Sequence, residues 1–189
     1  MDEYQNIKEA FQSEAIEGVI FDFEGTLFFF DIDWESLKKE LHTTHVLPHA
    51  DAFIGPTLIH LKRTQEDLYN RGLTIIQRFE SEAYEQGKCN EKLIELIKTI
   101  SQKRIGVFSM NTSSVINKFI DQYLSKVTID PIMSIESIIE PKPSRIDLEK
   151  IAKYWNLPKD QIMFIGNSHF DRDSGKMAGI RTILVNHQQ

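Results

Sequence analysis

Reactive side chains follow several apolar runs of this chain, at the point where each run ends. They are Asp22 and Glu24 after residues 19–21, Ser109 after residues 105–108, Lys142 between two prolines, and Asn167 and Asp171 after residues 162–165. Side chains two apart on an extended backbone point to the same side, so Asp22 and Glu24 should lie together. Two adjacent carboxylates at the end of a buried strand need a cation or a proton to be stable there. The alternative is a strand end whose acids are simply solvated.

These residue types could transfer a phosphoryl group. A carboxylate can attack phosphorus to form an aspartyl-phosphate, and Mg²⁺ takes hard oxygen ligands from carboxylates, water and a substrate phosphate. A hydroxyl, backbone N–H groups and a lysine can hold the equatorial phosphoryl oxygens. A second carboxylate can protonate the leaving oxygen and later activate water.

The elements that must position these groups alternate between strand and helix. Strands are predicted at 19–23, 104–108, 162–165 and 182–185, with short extended candidates at 127–129 and 132–133. Helices are predicted at 3–15, after an N-cap at Asp33, at 65–86, after an N-cap at Asn90, near 115–124, at 146–155 and at 173–178, the last ending at Gly179. This alternation predicts an α/β fold, a Rossmann-like parallel sheet with helices on both faces. In such a sheet the active crevice lies outside the carboxyl ends of the strands.

Residues 28–89 break the alternation. Their pattern is entirely helical, and they lie between the first and second predicted strands. We interpret them as an inserted helical subdomain, which leaves residues 1–27 and 90–189 to form the α/β core.

The ordered set of strand ends resembles the haloacid dehalogenase (HAD) superfamily, and in particular its phosphoglycolate phosphatase-like members with a small helical cap. Residues 22–27, Asp-Phe-Glu-Gly-Thr-Leu, are similar to the first motif of that superfamily. Ser109 is similar to the second motif, Lys142 to the third, and Gly166-Asn167-Ser168 with Asp171 to the fourth. The resemblance runs across the whole chain and implies a Rossmann-like core with residues 28–89 as the cap.

The resemblance also implies roles for individual residues. Asp22 would be the nucleophile and a Mg²⁺ ligand, and Glu24 would be the general acid and base, with its carbonyl on the metal. Ser109, the N–H of Met110 and Lys142 would hold the phosphoryl group. Asn167 and Asp171 would complete the metal shell, directly or through water. The implied activity is a Mg²⁺-dependent phosphomonoesterase that acts on a small phosphorylated metabolite.

Three positions depart from the superfamily pattern. Glu24 stands where an aspartate is usual, Asn167 where an acid is usual, and Met110 where Asn or Gly is common. An Asn oxygen can coordinate Mg²⁺ but carries no charge, which predicts weak metal binding. These departures keep two other functions open: a phosphate-binding or regulatory protein on a weakened phosphatase scaffold, or a metal-independent dehalogenase. A phosphomutase is a further alternative, because mutases share the same first half-reaction.

The composition favours a soluble cytoplasmic protein. The 189 residues carry a net charge of −6, with 41% hydrophobic and 26% charged residues. This balance argues against a nucleic-acid partner or an anionic membrane surface. We expect no signal peptide and no membrane span, because no apolar run is long enough. Nothing in the sequence requires an obligate oligomer.

Several other residues are candidates for binding a metal or a substrate. His42, His45 and His49 could bind zinc, although Pro48 interrupts their helix and a solvated surface is the preferred interpretation. His169 is interpreted as a loop residue, Trp34 as part of the cap core, and the single cysteine, Cys89, as a loop thiol without a role. One of the three phenylalanines at 28–30 could line a substrate pocket.

Overall fold

A computed structural model describes residues 3–185 of the chain. The eight helices of this part are α1 (Glu3–Gln12), α2 (Trp34–Thr43), α3 (Ile54–Thr64), α4 (Glu66–Tyr84), α5 (Glu91–Lys98), α6 (Ser113–Tyr123), α7 (Ile146–Trp155) and α8 (His169–Ala178). The strands are β1 (Gly18–Phe21), β2 (Phe28–Phe29), β3 (Lys88–Cys89), β4 (Arg104–Phe108), β5 (Ile132–Met133), β6 (Ile162–Gly166) and β7 (Arg181–Leu184). No helix among residues 3–185 is long and apolar enough to cross a membrane.

Five strands form one parallel sheet in the order β5-β4-β1-β6-β7. The central strand β1 pairs with β4 on one side and β6 on the other, with Phe21 opposite Val107 and Ile165. The predicted Rossmann-like α/β fold is therefore confirmed. The arrangement brings the carboxyl ends of β1, β4 and β6 to one edge of the sheet, and these are the ends at which reactive side chains were predicted.

The sheet is buried on both faces, as the apolar runs of its strands predict. Along β1, Ile20 faces one hydrophobic cluster, while Val19 and Phe21 face the other. Trp155 of α7 belongs to the first cluster and Phe119 of α6 to the second. This packing holds the strand ends rigidly beneath the site.

Helices α2, α3 and α4 lie between β2 and β3, and we call residues 34–84 the helical insert. The insert has its own buried side chains, including Leu37 and Leu41 on α2 and Leu58 on α3. The prediction that residues 28–89 are entirely helical is wrong at both ends. Strands β2 and β3 form a two-stranded antiparallel ribbon in which Phe28 pairs with Cys89 and Phe29 with Lys88. Cys89 is thus a half-buried strand residue and not a loop thiol.

Other element boundaries differ from the predictions in specific ways. Helix α1 ends at Gln12 instead of residue 15, and residues 127–129 form no strand. The main difference is α8, which begins at His169 and not at Asp173. Ser168 and Asp171 form a capping box that starts this helix four residues earlier, so His169 lies on its first turn. As predicted, Gly179 ends α8 in a left-handed conformation with φ 73°.

Candidate active site

Asp22 lies one residue beyond β1 and is almost fully buried. Its backbone N–H still extends the sheet ladder by donating to Ile165 O at 2.8 Å, which fixes where the side chain starts. Its Oδ1 accepts a hydrogen bond from Lys142 Nζ at 2.6 Å, and its Oδ2 accepts one from Thr26 Oγ1 at 3.2 Å. The chain turns away at Gly25, whose φ of 77° is strained for other residues.

Lys142 joins two carboxylates that are far apart in the sequence, one just beyond β1 and one on the first turn of α8. Its Nζ donates to Asp22 and also to Asp171 Oδ1 at 2.7 Å. The other oxygen of Asp171 accepts from the backbone N–H groups of Asn167 and Ser168 and from Ser168 Oγ. A Cβ on Gly166 would lie 2.5 Å from the Asp171 side chain, so the glycine makes room for this carboxylate.

The two carboxylates share a single ammonium group, which leaves one negative charge unbalanced in a buried place. Burial raises the pKa of Asp22 to about 6, despite the opposing effect of Lys142. For Asp171, burial is outweighed by Lys142 and by hydrogen bonds, so its pKa is lowered. Burial alone would lower the pKa of Lys142, but the two carboxylates outweigh it and raise that pKa. A bound cation would balance the remaining charge at Asp22.

Ser109 lies one residue beyond β4, beside Asp22. Its N–H donates to Met133 O at 2.9 Å, and its Oγ donates to Asn111 Oδ1 at 2.8 Å. Met110 is half-buried and lines the same cavity as Asp22 and Lys142. The predicted phosphoryl-binding residues therefore meet at the edge of the sheet where β1 ends.

Glu24 also lines this cavity and is half-buried. Its Oε2 accepts a hydrogen bond from Asn111 Nδ2 at 3.3 Å. Burial raises the pKa of Glu24 to about 7, and the hydrogen bond from Asn111 opposes this rise. A carboxyl group in this condition can exchange a proton near neutral pH, as a general acid and base must.

Glu80 of α4 is a site residue that the sequence analysis missed. It is 2% exposed and lies where the helical insert meets the first turn of α6. Asn111 Nδ2 donates to it at 2.9 Å, and Thr112 donates to it through both its N–H and its hydroxyl group. Asn111 therefore contacts Ser109, Glu24 and Glu80 at once. A signal was present, because Ile76, Glu80 and Tyr84 recur at helical spacing and place an acid on an apolar face.

Asn167 lines the cavity, and its side chain makes no hydrogen bond to another described residue. Among residues 3–185, no three His, Cys, Asp or Glu side chains converge in a metal-binding arrangement. Asp171 Oδ2 accepts three hydrogen bonds, whereas Asp22 Oδ2 accepts one, from Thr26, and the Asn167 amide oxygen accepts none from the described residues. Asp22 and Asn167 are therefore the side chains best placed to offer oxygen. Mg²⁺ commonly uses one or two carboxylates and completes its shell with water and substrate phosphate. The donor set thus fits a weakly held Mg²⁺, supported by the unbalanced charge at Asp22.

The other candidate residues lie in different surroundings. His42 Nδ1 is 3.2 Å from Leu47 O, and His49 Nδ1 is 2.6 Å from Asp51 in an exposed pair. The predicted zinc alternative gains no support from the described residues. The rings of His169 and Phe170 have centroids 4.0 Å apart and planes tilted by 36°. The prediction that Trp34 lies in the core of the insert is wrong, because Trp34 is 46% exposed and lines the cavity. Phe29 and Phe30 also line the cavity.

The sequence and the fold both identify the class of protein. The family model described as haloacid dehalogenase-like hydrolase matches residues 19–185, which is most of the chain. The chain therefore belongs to the haloacid dehalogenase-like hydrolase family. No curated protein matches the sequence.

Solved structures of this superfamily share the fold at low sequence identity. CbbY from Rhodobacter sphaeroides, solved with phosphate, is 16% identical with a TM-score of 0.63, covering 92% of this chain and 90% of that one. A CbbY mutant solved with xylulose-(1,5)bisphosphate is 16% identical with a TM-score of 0.61, covering 90% and 86%. A predicted phosphoglycolate phosphatase from Haemophilus somnus is 15% identical with a TM-score of 0.62, covering 93% and 89%. At these identities the likeness establishes the fold alone.

Proposed function

We propose that this protein is a Mg²⁺-dependent phosphomonoesterase that hydrolyses a small phosphorylated metabolite through an aspartyl-phosphate at Asp22. The observation that carries the proposal is the buried Asp22 carboxylate, held 2.6 Å from Lys142 Nζ at the floor of a cavity that Ser109 also lines. A carboxylate in a rigid position can attack a phosphorus atom that is held in line with it. Family membership and the phosphate or phosphorylated sugar bound by related structures support this choice.

Each predicted residue has a role in this proposal. Ser109 Oγ and the N–H of Met110 hold phosphoryl oxygens, while Lys142 offsets negative charge on Asp22 and on the phosphate. Glu24 protonates the leaving oxygen and then takes a proton from the water that hydrolyses the intermediate. Asn111, which donates to Glu24 at 3.3 Å, orients that carboxyl group.

Asp22, the carbonyl of Glu24 and the Asn167 amide would hold the Mg²⁺, with Asp171 acting through Lys142 or water. When bound, the metal would offset charge on the phosphate and align it with Asp22. We further propose that the helical insert acts as a cap that excludes water from the reacting groups. Its direct contacts with the core support this role, since Glu80 meets Thr112 and Arg63 Nη2 donates to Ile139 O at 2.7 Å.

The decisive experiment measures phosphate release from an aryl phosphate with and without Mg²⁺, for the natural protein and for Asp22→Asn. We expect a Mg²⁺-dependent rate that Asp22→Asn reduces at least about a thousandfold, because an amide is a poor nucleophile. Asp173→Asn, a half-buried residue of α8 whose carboxylate accepts a hydrogen bond from Arg172 and does not line the cavity, is the matched control and should keep the rate. Full activity in Asp22→Asn would refute the covalent mechanism.

A second candidate function is phosphate binding without turnover. The uncharged Asn167 at the metal site favours it, because this residue weakens the hold on Mg²⁺. Binding of inorganic phosphate, with no hydrolysis of any ester at saturating Mg²⁺, would support this function over the enzyme.

A further inference from the structure

The cavity above Asp22 is large, and the helical insert supplies much of its wall. It has a volume of about 1230 Å³ and reaches from the strand ends to α2, α3 and α4. A phosphate group at Asp22 and Ser109 would fill a small part of it. The remaining space must accept the alcohol part of the substrate, so the chemistry of the wall indicates what that part is.

The side chains that the insert turns to the cavity are almost entirely apolar. They include Trp34, Leu37, Phe53, Ile54, Leu58 and Ile76. The charged residue among the lining residues of the insert is Glu80, whose carboxylate is already held by Asn111 and Thr112. Within residues 34–84, no lysine, arginine or histidine lines the cavity.

Three aromatic side chains are exposed around this cavity. Phe53 is 76% exposed, Trp34 46% and Phe170 43%. Single exposed apolar side chains are ordinary on a protein surface, but several around one cavity mark a binding site. They would bury apolar area against a ligand that enters the cavity.

The charges of the wall disfavour a second anionic group on the substrate. Among the described residues, Lys142 and Lys88 are the lysines that line the cavity, and the lining includes no arginine. Lys142 is held by Asp22 and Asp171, and Lys88 is an exposed residue of β3. Asp31 adds a further negative charge to the lining. A carboxylate or second phosphate on the substrate would lose hydration and meet mainly apolar or acidic side chains.

We infer that the substrate is a monoester with one phosphate group, whose alcohol part is uncharged and mainly apolar, either aryl or alkyl. This inference rests on the proposed function, because it assumes that the phosphate group binds at Asp22. It disfavours substrates that carry a carboxylate or a second phosphate.

Phosphonates of similar size test the inference without requiring turnover. We would measure calorimetric binding of benzylphosphonate and 3-phosphonopropanoate in saturating Mg²⁺, with methylphosphonate as the reference for the phosphate site. We expect benzylphosphonate to bind roughly tenfold or more tightly than 3-phosphonopropanoate. Equal or tighter binding of the carboxylated compound, or no binding of benzylphosphonate, would overturn the inference.

A charge placed on the wall should alter this preference. Phe53→Lys adds a cation at an exposed position, so the variant should fold, and we expect the affinity ratio to shift severalfold towards 3-phosphonopropanoate. Met177→Lys is the matched control, since Met177 is 54% exposed and lies outside the cavity lining. An unchanged affinity ratio in Phe53→Lys, or the same shift in Met177→Lys, would contradict the assignment of Phe53 to the wall that contacts the substrate.

Measured hydrolysis rates distinguish a failure of this inference from a failure of the proposed function. Hydrolysis of 2-phosphoglycolate in preference to 1-naphthyl phosphate, with both rates lost in Asp22→Asn, would overturn the inference and leave the phosphatase intact. A preference for benzylphosphonate without Asp22-dependent hydrolysis would support the inferred ligand class and refute the enzyme.

Discussion

At the scale of single residues, the site depends on a few side chains that each contact two or more partners. Lys142 holds both Asp22 and Asp171, and Asn111 connects Glu24 with Glu80. A change at either position therefore alters several contacts at once, and its effects should not be additive with those of its partners.

Asn167 is the residue that should limit metal affinity. The substitution Asn167→Asp would add a negative charge to the residues proposed to hold the metal, and we expect Mg²⁺ to bind roughly tenfold more tightly. Calorimetric titration with Mg²⁺ measures this directly. Asn117→Asp, at an exposed position of α6, adds the same charge away from the site and should leave Mg²⁺ affinity unchanged. Equal affinities in Asn167→Asp and the natural protein would show that residue 167 is not a ligand.

Glu80 should make stability depend on pH. Burial raises its pKa to about 7 from an unfolded value of 4.5, so the folded state binds more protons between these values. Protonated Glu80 therefore stabilises the folded state at low pH. This stabilisation, roughly 3 kcal/mol for a shift of this size, is lost as pH rises through about 7.

The substitution Glu80→Gln removes this titration. We expect the free energy of unfolding of the natural protein to fall, relative to that of Glu80→Gln, as pH rises from 5 to 8. Denaturant unfolding at several pH values measures the difference. Glu82→Gln, an exposed position on the same helix, should give a curve parallel to that of the natural protein. Parallel curves for Glu80→Gln as well would contradict the raised pKa.

At the scale of elements, the bounds of helices and strands were predicted best where one apolar pattern continued without interruption. The bounds of β4 and α7 were predicted correctly, because each is a sustained apolar pattern between clear breaks. The β2–β3 ribbon was missed because a strand of two residues has no measurable period, and its pairing joins residues far apart in the chain. The start of α8 was predicted late, although Ser168 and Asp171 have the spacing of a capping box.

Asn90 connects three elements and should matter more than an ordinary helix cap. Its Oδ1 accepts from Leu93 N and from Tyr4 Oη, and its Nδ2 donates to Thr26 O at 3.0 Å. We expect Asn90→Ala to lower the free energy of unfolding by about 2–3 kcal/mol, because buried partners lose their hydrogen bonds. Urea unfolding measures the loss.

The N-cap of α2 provides the comparison. Asp33 is exposed and accepts one capping hydrogen bond, from Ser36 N at 3.0 Å. Asp33→Ala should therefore lower the free energy of unfolding clearly less than Asn90→Ala does, because it removes a single solvent-exposed hydrogen bond. Similar losses for the two variants would show that the contacts of Asn90 with Tyr4 and Thr26 contribute little.

At the scale of the whole molecule, the parallel sheet explains why most of the site could be predicted. The carboxyl ends of parallel strands such as β1, β4 and β6 lie at one edge of the sheet, so the sequence alone predicts that Asp22, Ser109 and Asn167 lie together. Glu80 and Trp34 could not be placed in the same way. Their positions depend on how the helical insert packs against the core, and no strand order determines that packing.

The β2–β3 ribbon has a consequence for how this chain can change. In an antiparallel pair the two backbones lie about 5 Å apart, so the chain leaves the core at Phe28 and returns to it at Cys89, directly opposite. No strand of the five-stranded sheet comes from the segment between these two points. Another segment with closely spaced ends could therefore replace the insert while Asp22 and Lys142 stay in place, provided that it also supplies an acceptor for Asn111 and Thr112 where Glu80 now lies. In such a chimera, the chemistry would be inherited from one parent and the choice of substrate from the other.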